Sequence, residues 1–199
     1  MNTERIVKAL YTRVFNFLNK GKFKNFGKKN SIFCPLKIDG KENISIGTKV
    51  IVQYKTWLAA VPLTGTSSCD LIIGDGSCIG NFNHIYATNS IIIGKDVLTA
   101  DRVYISDNLH SYEDITLPII NQPIKQISAV SIGDGSWLGE NVCVIGAKIG
   151  KNCVVGANSV VTKDIPDYSV VVGAPARIIK RYCTDLKKWR KTDIHGNWI

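Results

Sequence analysis

The sequence has no apolar run that approaches the roughly 20 residues a membrane-spanning helix needs, which excludes a transmembrane helix. No leader is expected either. The opening MNTERIVKALYTRVFNFLNKGKFKN scatters charges among its apolar residues, where a signal peptide keeps a continuous apolar segment and a small-residue cleavage site. The segment therefore reads as retained, and the protein as cytoplasmic. The cysteines (Cys34, Cys69, Cys78, Cys143, Cys153 and Cys183) include no C-x-x-C pair and have no histidine cluster beside them, against a zinc ribbon or a redox motif. Without a secretion signal they read as reduced, structural thiols. Histidine is scarce: His84, His110 and His195 are too few and too scattered for the three-histidine zinc centre of a hydratase, and no metal is expected. Acidic residues are outnumbered 16 to 25 by Lys and Arg, for a net charge of +9, so an anionic partner is expected. No helix-turn-helix, zinc-finger or RNP-like pattern accompanies that charge, so the partner is not expected to be nucleic acid.

What is present is a repeat. From Ile73 the chain reads IGDGSC, IGNFNH, IYATNS and, after a two-residue slip, IGKDVL, TADRVY, ISDNLH. From Ile132 it resumes as IGDGSW, LGENVC and, after VIGAK, IGKNCV, VGANSV, VTKDIP, with a weaker stretch through Ile44 to Leu58. An aliphatic residue every six positions fits neither strand alternation nor a 3.6-residue helical period. It fits a parallel β-helix, an all-β solenoid in which three hexads make one triangular coil and the aliphatic residues stack down the shaft. Gly and Asn are expected at the corners, where the backbone is strained.

Such coils need caps. Ile6, Leu10, Val14, Phe17 and Leu18 fall at helical spacing, so a short amphipathic helix is expected to cover one end. A second helix is expected from Asp185 onward, giving a helical C-terminal tail. The period fails between Val61 and Asp70 and again over about twenty residues from Leu109 to Val130, a length that in a compact domain usually marks function. Basic residues cluster in two places, Lys20 to Lys29 and Arg177 to Lys191. The organisation expected is a helix and basic linker over 1–30, a repeat domain over 31–182 with a loop at 109–130, and a basic tail over 183–199.

Three segments carry a resemblance: VYISDNLHSYED with its loop to Pro118, SIGDGSWLGENV from Ser131, and VVGANSVVTKDIPDYSVVVGAPARIIKRY from Val154. Over Asn43 to Tyr182 the chain resembles the hexapeptide-repeat acyltransferases, in particular the branch that O-acetylates polysaccharides such as O-antigen. The resemblance implies a left-handed β-helix, a homotrimer, and acetyl-CoA lying in the groove between neighbouring subunits. It matches His110 to the family's catalytic base, whose imidazole takes the proton of an acceptor hydroxyl. Asp107, Glu113 or Asp114 would orient that ring, and Trp137 would line the active cleft.

For the cofactor the resemblance implies Gly139 and Ala157 along the pantetheine arm, and Thr162, Lys163, Arg177 and Lys180 at the nucleotide end, where cations suit phosphate. Glu140 departs from the family, standing where galactoside-type relatives have serine. Asn83, His84 and Asn108 are the candidate acceptor contacts, Asn108 replacing a second histidine common in relatives. The activity implied is acetyl transfer to a hydroxyl of a cell-surface saccharide, by direct attack and without a metal. N-acetylation of a nucleotide-linked amino sugar is the close alternative, and a silent scaffold the distant one. A basic N-terminal helix with Phe and Leu also suits peripheral contact with the cytoplasmic face of a membrane.

Overall fold

The computed structural model describes residues 3–193 and 196–199. From Asn25 to Val161 its strands visit three sheets in rotation, interrupted by one separate hairpin, so that each circuit of the chain adds one strand to every face. Face A stacks Asn25–Phe26, Ile44–Ile46, Asp70–Ile73, Ser90–Ile93, Val130–Ile132 and Lys148–Ile149. Face B stacks Ser31–Ile32, Ile51–Val52, Cys78–Ile79, Leu98–Thr99, Trp137–Leu138, Val154–Val155 and Ser169–Val172. Face C stacks Lys37–Asp39, Trp57–Ala60, His84–Ala87, Tyr104–Ser106, Cys143–Ile145 and Val160–Val161. Every pairing between these strands is parallel.

The six-residue period thus becomes a ladder. Ile46, Ile73, Ile93, Ile132 and Ile149 stand in register down face A. Leu58, Ile85, Ile105, Val144 and Val161 do the same down face C, and all ten side chains are buried. Gly74 shows why the second position of a hexad stays small: a Cβ there would lie 2.5 Å from the carbonyl oxygen of Gly94 in the next coil. The corners differ from expectation. Gly76, Gly135 and Asn152 take positive φ as foreseen, but so do Lys49, Phe82, Asp96 and Arg102. Stacking imposes that conformation whatever the residue, because each corner N–H donates to a carbonyl of the preceding coil, as Asp96 does to Asp75 at 2.8 Å.

At the N-terminal end, helix α1 (Thr3–Asn19) leans on the first turns of face B. Tyr11 meets Phe33 edge-on, Phe15 packs against the core, Asn16 donates to the Asn30 carbonyl at 2.8 Å, and Lys8 reaches Gln53. Phe23, just after the helix, is buried among the first coils. The helix is where the spacing put it, but its other face is turned inward: Ile6, Leu10, Val14, Phe17 and Leu18 are exposed.

The C-terminal end corrects a second expectation. Among the described residues there is no helix after Asp185. Arg177–Cys183 runs antiparallel to Ser169–Val172 and folds back on Lys188–Lys191 through a turn at Thr184–Lys187. The β-branched and aromatic residues of RIIKRYC favour strand, and Tyr182 faces Trp189 with ring centroids 5.7 Å apart. The hairpin covers the last parallel strand's open edge and runs across residue 183.

Candidate active site

The interruption after Ser106 is not irregular. Asn108–His110 pairs antiparallel with Ile124–Gln126, and a single 3-10 turn, Ile119–Asn121, lies between them. This hairpin springs from the corner between faces C and A, and its base is locked by two side chains, the buried Asp107 and the half-buried Gln126. The Asp107 carboxylate accepts from the backbone N–H groups of Thr88, Asn89 and Ser90 at 2.8, 2.8 and 2.7 Å, and from the Asn108 amide at 3.0 Å. Burial alone would raise its pKa, but these hydrogen bonds outweigh it and hold the carboxyl below its ordinary value. The Gln126 amide closes the other strand, donating to the carbonyls of Asp107 and Ile127 and accepting from Thr64 at 2.7 Å.

That arrangement corrects the role expected of Asp107, whose oxygens are taken by the frame. Asp114 is likewise engaged, capping its own turn by accepting from the N–H and hydroxyl of Thr116, which lowers its pKa. Glu113 pairs with Lys125 across the hairpin, and that bond holds its carboxyl down to about 2. Among the described residues no hydrogen bond or ion pair joins any of the three to the ring of His110, which is exposed at the mouth of the hairpin. Neither Gln126 nor Lys125 was marked out by sequence, because the partners of each lie across the hairpin or on other coils.

The candidate acceptor residues divide in the same way. Asn83 is 1% exposed; its amide donates to Thr99 at 2.5 Å and accepts from Val103 N–H at 2.6 Å, bridging two coils where Thr99 interrupts the aliphatic ladder. Asn108 is buried too, donating to the Tyr86 carbonyl as well as to Asp107. Both amides hold the frame rather than face a cleft. His84 sits on the outer surface of face C, stacked on Trp57 at 4.3 Å and 7° and edge-on to Tyr86 and Tyr104. Burial lowers its pKa, and its Nε2 is enclosed without a partner.

The remaining candidates form two groups. Trp137 stands on the outer surface of face B, 46% exposed, between Leu98 and Val154 in the ladder. Gly139 and Ala157 follow at the corner between faces B and C, in successive coils so close that a Cβ on Gly139 would lie 2.7 Å from the Ala157 nitrogen. Arg177 joins them, because Ala176 before it donates to the Val160 carbonyl, and Lys180 lies on the hairpin that extends face B. Thr162 and Lys163, by contrast, follow the last strand of face C and so share the C–A corner with His110. In a three-faced prism that corner is opposite face B. The candidate residues of one chain therefore fall into two separate groups, His110 with Lys163 at the C–A corner, and Trp137 on face B with Arg177 at its corner with face C. Glu140 has its own use, an ion pair with Arg102 of the preceding coil at 2.5 Å.

The family described as the hexapeptide repeat of succinyl-transferase matches residues 129–163, the coils that carry Trp137, Gly139, Ala157 and Lys163. WbbJ of Escherichia coli K12, whose name proposes O-acetyl transfer in lipopolysaccharide biosynthesis, is 40% identical over 128 residues, 61% of this chain and 65% of that protein. Over these coils the chain is similar to the hexapeptide-repeat acyltransferases. A second relative, Rv3034c of Mycobacterium tuberculosis, named for acetyl transfer, is 47% identical over 111 residues, 55% of this chain and 37% of that protein. The chain thus spans less than two thirds of the length of the relatives it matches. Among solved structures, the N-acyltransferase AntD of Bacillus cereus, bound to dTDP and 3-hydroxybutyryl-CoA, shares the fold with a TM-score of 0.71 at 22% identity over 86% of this chain and 89% of that one. A maltose O-acetyltransferase of Clostridium difficile 630 aligns with a TM-score of 0.54 at 27% identity, over 89% and 86%. Among the described residues no helix is long and apolar enough to cross a membrane.

Proposed function

We propose that the protein transfers an acetyl group from acetyl-CoA to a hydroxyl of a cell-surface saccharide or its precursor, in clefts formed between copies of the chain. The observation that carries this reading is the split of the candidate residues into two half-sites facing opposite ways. A cleft between neighbours in a closed ring brings the His110 side of one chain to the Trp137 side of the next, as a threefold assembly of left-handed coils would. The family, and the 40% identity to WbbJ, support the acetyl donor and the saccharide acceptor.

The residues present fit acetyl-CoA. Among the described residues Lys163, Arg177 and Lys180 are exposed and make no ion pair, which leaves three cations for the diphosphate and 3′-phosphate. Ala157 presents a small side chain at the corner where a slender arm can lie close to the coil. His110 removes the proton from the acceptor hydroxyl as its oxygen attacks the thioester carbon. Backbone N–H groups of the cleft hold the resulting oxyanion, and the imidazolium returns its proton to the departing thiolate. Trp137 shields the thioester from water or stacks on the sugar.

Release of CoA, followed over a panel of hydroxy and amino sugars, tests the proposal. Turnover with saccharide hydroxyls supports it. Turnover confined to amino sugars would replace it with N-acetylation, an N-acyl transfer of the kind AntD is named for, and no turnover with any acceptor would point to a silent scaffold.

A further inference from the structure

Among the described residues, the side of α1 turned away from the coils is apolar and has no partner. Ile6, Val7, Leu10, Val14, Phe17 and Leu18 share about one third of the helix circumference, and Leu10 and Phe17 remain 62% and 78% exposed. Lone exposed apolar residues are ordinary, but a continuous stripe of this size marks an interaction surface. Its setting is strongly basic. The first 38 residues hold nine Lys and Arg against Glu4 alone, a net +8 out of the chain's +9, so the rest of the protein is close to neutral. Of those cations only Lys24 and Lys37 are in ion pairs among the described residues. Arg13 borders the apolar stripe on the helix itself, and Lys20 follows directly after it. Lys22 continues it in the 3-10 turn Lys20–Lys22, and Lys28 and Lys29 sit at the first corner of the solenoid, under Lys49 of the next coil.

An occupant of this surface must accept apolar side chains and also neutralise many cations. A second copy docked by the same face would set one basic cluster against another. Nucleic acid would satisfy the charge and leave the stripe in water. We propose that α1 and the lysines after it dock the protein on an anionic phospholipid surface, the stripe lying at the boundary between headgroups and acyl chains and the cations meeting lipid phosphates. The docking face of α1, through Tyr11, Phe15 and Asn16, holds the helix to the solenoid while its free face is offered outward. The proposal does not depend on the acetyl-transfer reading, since none of these residues belongs to either half-site.

The test is flotation of the full chain with two sets of vesicles, phosphatidylcholine alone and phosphatidylcholine with about one third phosphatidylglycerol. The expected result is binding to the anionic vesicles, weakened by raised salt, and little binding to the neutral ones. A Leu10→Asn, Phe17→Ser variant, which changes only exposed side chains, should bind anionic vesicles at least about tenfold more weakly while keeping the wild-type thermal transition. Replacing Phe17 by Trp should give fluorescence that shifts to the blue on binding. Failure of the wild type to float with either set would overturn the proposal, as would equal binding by the variant. A change in oligomer size in the variant, with no vesicle binding by the wild type, would assign the stripe to a second copy and also overturn it.

Discussion

Asp107 and His110 lie three residues apart and do opposite things. Asp107 is fully buried and its carboxylate satisfies the N–H groups of three successive residues, whereas the His110 side chain is exposed and, among the described residues, makes no hydrogen bond or ion pair. Replacing Asp107 by Asn removes the charge and turns one acceptor oxygen into a donor facing N–H groups. We expect a loss of about 2 kcal/mol or more, read as a lower urea midpoint. The sign of the pH dependence follows from the depressed pKa. Its contribution is complete above the ordinary carboxyl range and declines as pH falls through the lower folded value, because the unfolded chain takes up the proton first. Acid unfolding of the wild type should therefore be steeper below about pH 4 than that of Asp107→Asn. His110→Ala should instead leave the urea midpoint unchanged and calorimetric binding of acetyl-CoA intact, while acetyl transfer falls by at least about a hundredfold.

At the scale of elements, the hairpin between Asn108 and Gln126 depends on contacts that sequence cannot bring together. Gln126 ties the two strands to each other and to Thr64, so Gln126→Ala should loosen the hairpin without unfolding the solenoid. Limited proteolysis should then cut within residues 111–122 several times faster, with little change in the melting temperature. If cleavage were unchanged, the lock would lie elsewhere. Within the shaft, Ile105→Ala leaves a cavity between Ile85 and Val144 and should cost about 2–5 kcal/mol. The shaft was legible in the sequence because its period is local: Ile73, Ile93 and Ile132 each announce a turn of the coil. Three other features were not. The antiparallel hairpin at Arg177–Lys191 hides under a high density of basic residues, and its strand character rests on pairings such as Tyr182 with Trp189. The inward face of α1 is set by Phe33 and the first coil, not by the helix's own hydrophobic spacing. Asn83 and Asn108 read as acceptor contacts by resemblance, but their partners, such as Thr99 and the Tyr86 carbonyl, lie 16 to 22 residues away and are reached only once the coils stack.

At the scale of the molecule, the rotation of strands through three faces sends His110 and Lys163 to one corner and Trp137 and Arg177 to the opposite side. In the proposed reading a single chain cannot close the site, and activity depends on assembly. Two variants, each inactive alone, separate the halves: His110→Ala on one side, and Trp137→Ala with Arg177→Ala on the other. Unfolded together in equal amounts and refolded, they form mixed rings in which about one quarter of the clefts pair two intact halves. Acetyl transfer by that mixture is the most direct test. Recovery of roughly a quarter of wild-type activity is the predicted result; a mixture as inactive as its components would contradict a site shared between chains.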